Sequence, residues 1–185
     1  GYFRDMINDP TALARCTDMM DALTGVLATQ LIEAYDRWHR YRSILDIGGC
    51  RGYLAARIVA SHPHLTGHVA DLPQLSPLFD ALVTEHGLAD RLTFHPGDFF
   101  TDPLPTADVV VFGHALHDWN DRQREFLLRK AFSSVRPGGD LLVYDRMLDD
   151  QDGVAGDHAR VENLVVSLDM LLTTGERVSC ALVAM

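Results

Sequence analysis

Five apolar runs of strand length, separated by stretches with helical spacing, constrain this chain more than any single motif. The runs are SILDIG (43–48), LTGHVAD (65–71), LTFHPGDFF (92–100), ADVVVFGHAL (107–116) and DLLVYDRM (140–147). Helical spacing occupies 53–62, 75–86, 121–135 and, after the last run, 158–172. Strands that alternate with helices must run parallel and connect by right-handed crossovers. VVVFG (109–113) and LLVY (141–144) are almost continuously apolar, as strands covered by helices on both faces need to be. The pattern predicts an α/β fold with a doubly wound, mainly parallel sheet. Gly138-Gly139 predicts a turn before the fifth strand, and DDQDGVAGD (149–157) predicts an acidic loop.

Ahead of the sheet, Asp9-Pro10 reads as a helix start, and Leu13, Met20, Leu23, Leu27, Leu31 and Ile32 recur at near-helical spacing. This predicts an amphipathic N-terminal lead-in helix. At 185 residues the chain fits one domain. Its formal charge of −10, with no lysine- or arginine-rich stripe, repels phosphate backbones and disfavours nucleic acid as partner. No apolar run approaches the roughly 20 residues that span a bilayer, so no membrane partner is expected and a small-molecule substrate fits better. Cys16, Cys50 and Cys180 are odd in number and lack CxxC spacing, which points away from disulfides and zinc and toward a reducing, cytoplasmic setting. The chain opens at Gly1 without a charged-then-apolar leader and reads as a piece of a longer protein.

In a doubly wound sheet, ligands sit beyond the carboxyl ends of the strands, over the first strand-to-helix turn. A dinucleotide fingerprint G-x-G-x-x-G fails here, because from Gly48 its positions fall on Gly48, Cys50 and Tyr53. The spacing D-x-G-x-x-x-G is met instead, by Asp46, Gly48 and Gly52, with Gly49 adding backbone freedom. Asp71, followed by Leu72, closes the second run, where a carboxylate can accept from both ribose hydroxyls. In PGDFF, Asp98 can accept from an adenine amino group while Phe99 packs on the ring.

The glycine turn resembles the first motif of class I S-adenosylmethionine-dependent methyltransferases, with Cys50 where the usual form has glycine. The ordered set DIGG-x-x-G, DLP, GDFF, LHDW and RPGG is similar, over residues 40–150, to the small-molecule O-methyltransferases of plant phenolic and bacterial natural-product pathways. The resemblance implies S-adenosylmethionine as cofactor, held by Asp46, Gly48, Gly49, Gly52, Asp71, Leu72, Asp98 and Phe99, with Trp119 walling the pocket. It implies His117 as general base toward a hydroxyl of a small aromatic or polyketide-like acceptor, with Asp118 orienting the site and Asp145 and Glu176 flanking the base. Asp145 replaces the glutamate usual in plant members, and Gly113 replaces a lysine that many of them carry on the fourth strand. Met19, Met20, Asn163 and Met170 are the candidates for substrate contact.

Relatives of this type carry a helical dimerisation domain first, so residues 1–40 are expected to connect to such a domain and 41–185 to form the cofactor-binding catalytic domain. The C-terminal strands are expected to be incomplete, and the whole protein is expected to be a homodimer. No metal is expected. A competing reading is a metal-assisted C-methyltransferase in which His114, His117 and Asp118, completed by Asp169 or His158, ligate an ion. The residues also allow a cofactor-binding module without turnover; a nicotinamide oxidoreductase is disfavoured by the glycine spacing.

Overall fold

The computed structural model describes residues 6–145. Glu176, Asn163, Met170, His158, Asp169, the helix expected at 158–172 and the C-terminal strands lie outside the described residues.

The lead-in helix α1 spans Pro10–Ala34; Asp9 caps it by accepting from the Thr11 and Ala12 N–H groups, with proline in the first turn. Then follow β1 (Ser43–Ile47), α2 (Tyr53–Ser61), β2 (Thr66–Asp71), α3 (Ser76–Glu85), β3 (Leu92–Pro96), β4 (Ala107–Gly113), α4 (Asp121–Ser134) and β5 (Val135–Tyr144). All neighbouring strands pair in parallel in the order β3-β2-β1-β4-β5. The chain thus builds outward from β1 to β3, then returns to the other side of β1, and the switch lies between β1 and β4.

Each sheet face has its own core. On one, Ile44, Val69, Val109 and Val111 meet Ala28 of α1, Ile58 of α2 and Phe79 of α3; on the other, Leu45, Ile47, Val110 and Phe112 meet Leu127 and Ala131 of α4. Burial of β1 on both faces is what its largely apolar sequence requires.

Three sequence expectations shift. The third and fourth runs leave the sheet at Pro96 and Gly113, so GDFF and HAL form turns beyond the strand ends, where ligand-facing groups belong. The turn expected at Gly138-Gly139 lies inside β5: Ala107 pairs with Val135 and Val109 with Asp140, so three extra residues bulge from β5. In α1 the buried residues are Leu13, Thr17, Thr24 and Ala28, while Leu23 is exposed. α1 approaches α2 closely, with Gly25 over the Tyr53 ring.

Opposite the ligand-facing end, two carboxylates tie the elements together. Asp108 accepts from the Arg42 and Ser43 N–H groups at 2.8 and 2.9 Å and from the Ser43 hydroxyl. Asp140 accepts from the Tyr35 and Tyr41 hydroxyls and from Arg37. Burial opposes ionisation of both, but these donors outweigh it and hold both carboxyls below the ordinary carboxylate range. Such groups stabilise the fold fully above pH about 4, and that stabilisation drains as the pH falls through their lowered values. Asp140→Asn is expected to cost about 1–3 kcal/mol near neutrality and to flatten the acid limb of denaturant midpoint against pH; an unchanged acid limb would show that the cluster contributes nothing.

Candidate active site

The glycine turn 48–52 joins β1 to α2, and the segment 114–120 joins β4 to α4, so both stand at the switch point. They touch: a Cβ on Gly48 would lie 3.1 Å from the Ala115 Cβ. Beneath the turn, Asp46 is 2 % exposed, and its Oδ2 is buried without a hydrogen-bond partner. The backbone of Gly49 lies directly over it, since a Cβ there would fall 2.6 Å from the Asp46 carboxyl. Burial and then the charge of Asp71 push the Asp46 carboxyl up to about 8.

Cys50 adopts the left-handed conformation at φ 55, which a non-glycine residue holds at a cost of about 1–2 kcal/mol. That conformation accompanies the 2.8 Å hydrogen bond from its N–H to Asp71 Oδ2. Asp71 also accepts from the Leu72 N–H at 2.7 Å, and burial, partly offset by these two bonds, pushes it up to about 6. A carboxylate has about four acceptor positions, so capacity for ribose hydroxyls remains. Arg51 pairs with Asp18 and Asp21 at 3.0 and 2.6 Å and so pins the turn to α1.

Asp98 is exposed, accepts from the Phe100 N–H at 2.8 Å, and borders a small pocket with Ala70, His95, Phe99, Asp102 and Leu104. Phe99 stands between the glycine turn and Trp119: its ring is in contact range of Gly48 and meets Trp119 edge-on at 6.0 Å. Trp119 also packs edge-on against Phe100 at 4.6 Å. Asn120 and Gln123 form a reciprocal cap on α4 that sets where the segment 114–120 ends.

His117 is held from two sides. Its Nδ1 lies 2.7 Å from Asp145 Oδ1, its backbone N–H donates to Asp145 Oδ2, and its Nε2 lies 3.4 Å from Asp118. An ionised carboxylate only accepts, so Nδ1 carries the proton, and in the neutral imidazole Nε2 holds the lone pair. Burial pulls the imidazole pKa down, but the Asp145 hydrogen bond and the charges of Asp145 and Asp118 outweigh it, and the net shift is upward. Burial also raises Asp118. Asp145, one methylene shorter than glutamate, therefore still reaches the imidazole, because it stands at the very end of β5 beside the segment that carries His117.

His114, His117 and Asp145 each place one potential ligand atom within 4.8 Å of the others. Asp145 thus takes the place that the metal-assisted reading gave to Asp118. His114 is itself unusual, with φ 50 and a buried, unpaired Nε2. Met19 is 56 % exposed on the outer face of α1 and Met20 is half-buried. Sequence reasoning missed Arg51 and Tyr144; the one signal for the latter is a glycine, Gly113, closing an otherwise valine-rich strand.

The O-methyltransferase domain family matches residues 1–181. The tetracenomycin polyketide synthesis 8-O-methyl transferase TcmO of Streptomyces glaucescens is 44% identical over 168 residues, which is 91% of this chain and 48% of that protein. The N,N-dimethyltransferase OxyT of Streptomyces rimosus is 47% identical over 141 residues, 76% of this chain and 41% of that protein. The crystal structure of human N-acetylserotonin methyltransferase in complex with SAM superposes with a TM-score of 0.76 at 26% identity, covering 96% of this chain and 48% of that one. The chain therefore spans about half the length, or less, of these relatives. With the match running over nearly all of its residues, the chain belongs to the O-methyltransferase domain family.

Proposed function

We propose that the protein transfers the methyl group of S-adenosylmethionine to a hydroxyl of a small aromatic or polyketide-like natural product. The observation that carries this reading is the His117–Asp145 pair at the mouth of a cofactor-type glycine turn. The residues present fit the cofactor: Asp46 holds an unpaired buried oxygen suited to an ammonium, Asp71 keeps acceptor positions for a ribose beside the Leu72 backbone, and Asp98 and Phe99 line a small pocket of a kind that suits an adenine. Bound there, S-adenosylmethionine supplies an electrophilic methyl group on a sulfonium.

The chain's own part is to prepare the acceptor. His117 Nε2 takes the hydroxyl proton as the oxygen attacks, Asp145 steadies the imidazolium that forms, and Asp118 adds a second negative charge beside it. A phenol has a reference pKa near 10, so an imidazole raised above its ordinary value of about 6.5 is better matched to it. Trp119, Phe99 and Phe100 form an apolar wall that excludes water from the reacting atoms. Glu176, from outside the described residues, would flank the base, and Asn163, Met170, Met19 and Met20 would meet the acceptor.

Similarity to the tetracenomycin 8-O-methyl transferase favours oxygen as the acceptor atom, while the similarity to an N,N-dimethyltransferase makes the acceptor atom worth testing directly. The whole protein, supplied with labelled cofactor and a panel of hydroxylated polycyclic aromatics, is expected to form methyl ethers. Methyl groups found on carbon or nitrogen would overturn the assignment of oxygen. The extra length of the relatives supports residues 1–40 as a connection to a further, dimerising domain and 41–185 as the catalytic domain, with a homodimer as the working form. The odd number of cysteines, without CxxC spacing, supports a cytoplasmic setting. Among the described residues no helix is long and apolar enough to cross a membrane.

A further inference from the structure

We propose that Tyr144 is a cofactor-binding residue, its hydroxyl acting with Asp46 to hold the amino-acid end of S-adenosylmethionine; this rests on the reading that the glycine turn binds that cofactor. Gly113 and Tyr144 are register partners at the carboxyl ends of β4 and β5. A Cβ on Gly113 would fall 2.0 Å from Tyr144 Cζ and 2.1 Å from its hydroxyl oxygen. The head of the phenol, rather than the base of its ring, therefore lies across the Gly113 backbone. Glycine is required there because any side chain would occupy the volume the phenol uses.

The direction of that reach matters. Asp46 on β1 pairs with Val111 on β4, two residues before Gly113, and side chains two apart share a sheet face. Tyr144, crossing β4 from β5, is thereby carried toward Asp46, on the side covered by α1, where it shares a side-chain hydrogen bond with Thr24. The ring is braced edge-on by His114 at 5.3 Å, and the His114 N–H donates to the Tyr144 carbonyl. The hydroxyl is thus held at the same end of the sheet as the glycine turn and within electrostatic range of Asp46, whose buried Oδ2 has no hydrogen-bond partner.

An acceptor and a donor so placed suit a zwitterion. Asp46 Oδ2 offers an acceptor to the ammonium, and the Tyr144 hydroxyl offers a donor to the carboxylate. Arg51, the cation in the turn, is engaged by Asp18 and Asp21.

The test is calorimetry on the whole protein with two probes, S-adenosylhomocysteine and 5′-methylthioadenosine, which keeps the nucleoside and sulfur but lacks the amino-acid end. Tyr144→Phe retains the ring on Gly113 and removes only the hydroxyl. It is expected to weaken S-adenosylhomocysteine about 10-fold and to leave methylthioadenosine unchanged. Gly113→Ala, which pushes the phenol away, is expected to show the same selective loss with the melting temperature recorded alongside. Unchanged S-adenosylhomocysteine binding in Tyr144→Phe, or equal weakening of both probes, would overturn the proposal. A wild-type protein that binds neither probe would remove the cofactor reading and this proposal with it.

Discussion

His117→Ala is expected to lower turnover by about 100- to 10,000-fold while S-adenosylhomocysteine affinity stays within about twofold of wild type. The imidazole touches Asp145 and Asp118 but none of the groups beneath the glycine turn, so its loss removes a proton acceptor and leaves the cofactor cradle intact. Activity of the unaltered protein is expected to rise with pH through a value above the ordinary histidine pKa, because a base must be neutral to accept and this one is shifted upward. The alanine variant loses that inflection. A variant that keeps wild-type turnover at saturating cofactor would sink the assignment of His117 as base, and catalysis would then rest on positioning of the acceptor alone.

Asp46→Asn is expected to weaken S-adenosylhomocysteine about 100-fold at pH 7.5 without lowering the melting temperature. In the free protein burial and Asp71 keep this carboxyl protonated up to about pH 8, and an arriving ammonium favours the ionised form, so binding releases a proton. The sign follows: affinity of the unaltered protein rises toward tenfold per pH unit between pH 6 and about 7.5 and levels off near pH 8, where the carboxyl of the free protein is already ionising. The asparagine variant should be flat over that window. Its stability holds because a neutral amide replaces a carboxyl that is itself neutral in the free protein at that pH. Equal pH slopes in the two proteins, measured by calorimetry, would show that Asp46 does not meet the ammonium.

Most of the architecture was legible in the residue order. Valine-rich, nearly unbroken apolar runs, separated by helical spacing, leave little besides a parallel sheet with helices on both faces, and β1, β2 and β4 sit where those runs place them. Strand ends were less legible, since LTFHPGDFF and ADVVVFGHAL stay apolar past the points where their backbones leave the ladder. The bulge in β5 was hidden because RPGG has the composition of a turn whether it joins two elements or interrupts one. The inward face of α1 was legible in part: Leu13 is buried and Leu31 and Ile32 pack on the core, whereas Leu23 is exposed and Thr17, Thr24 and Ala28 take buried positions that hydrophobicity does not mark.

For the site, the residue types and their order along the chain named the participants: a carboxylate in the first strand and glycines after it, an acid closing the second, HDW after the fourth, an acid after the fifth. Those are local properties, since each chemistry needs its own side chain at a strand end. What only the tertiary structure decided was who meets whom. Asp145 rather than Asp118 takes the short contact to His117, Asp71 receives the Cys50 N–H, and Tyr144 fills the space above Gly113. These pairings join residues 21 to 31 positions apart, and they depend on strand register, the direction of side chains across the pleat and the left-handed turn at Cys50, all set by the packing of the sheet as a whole.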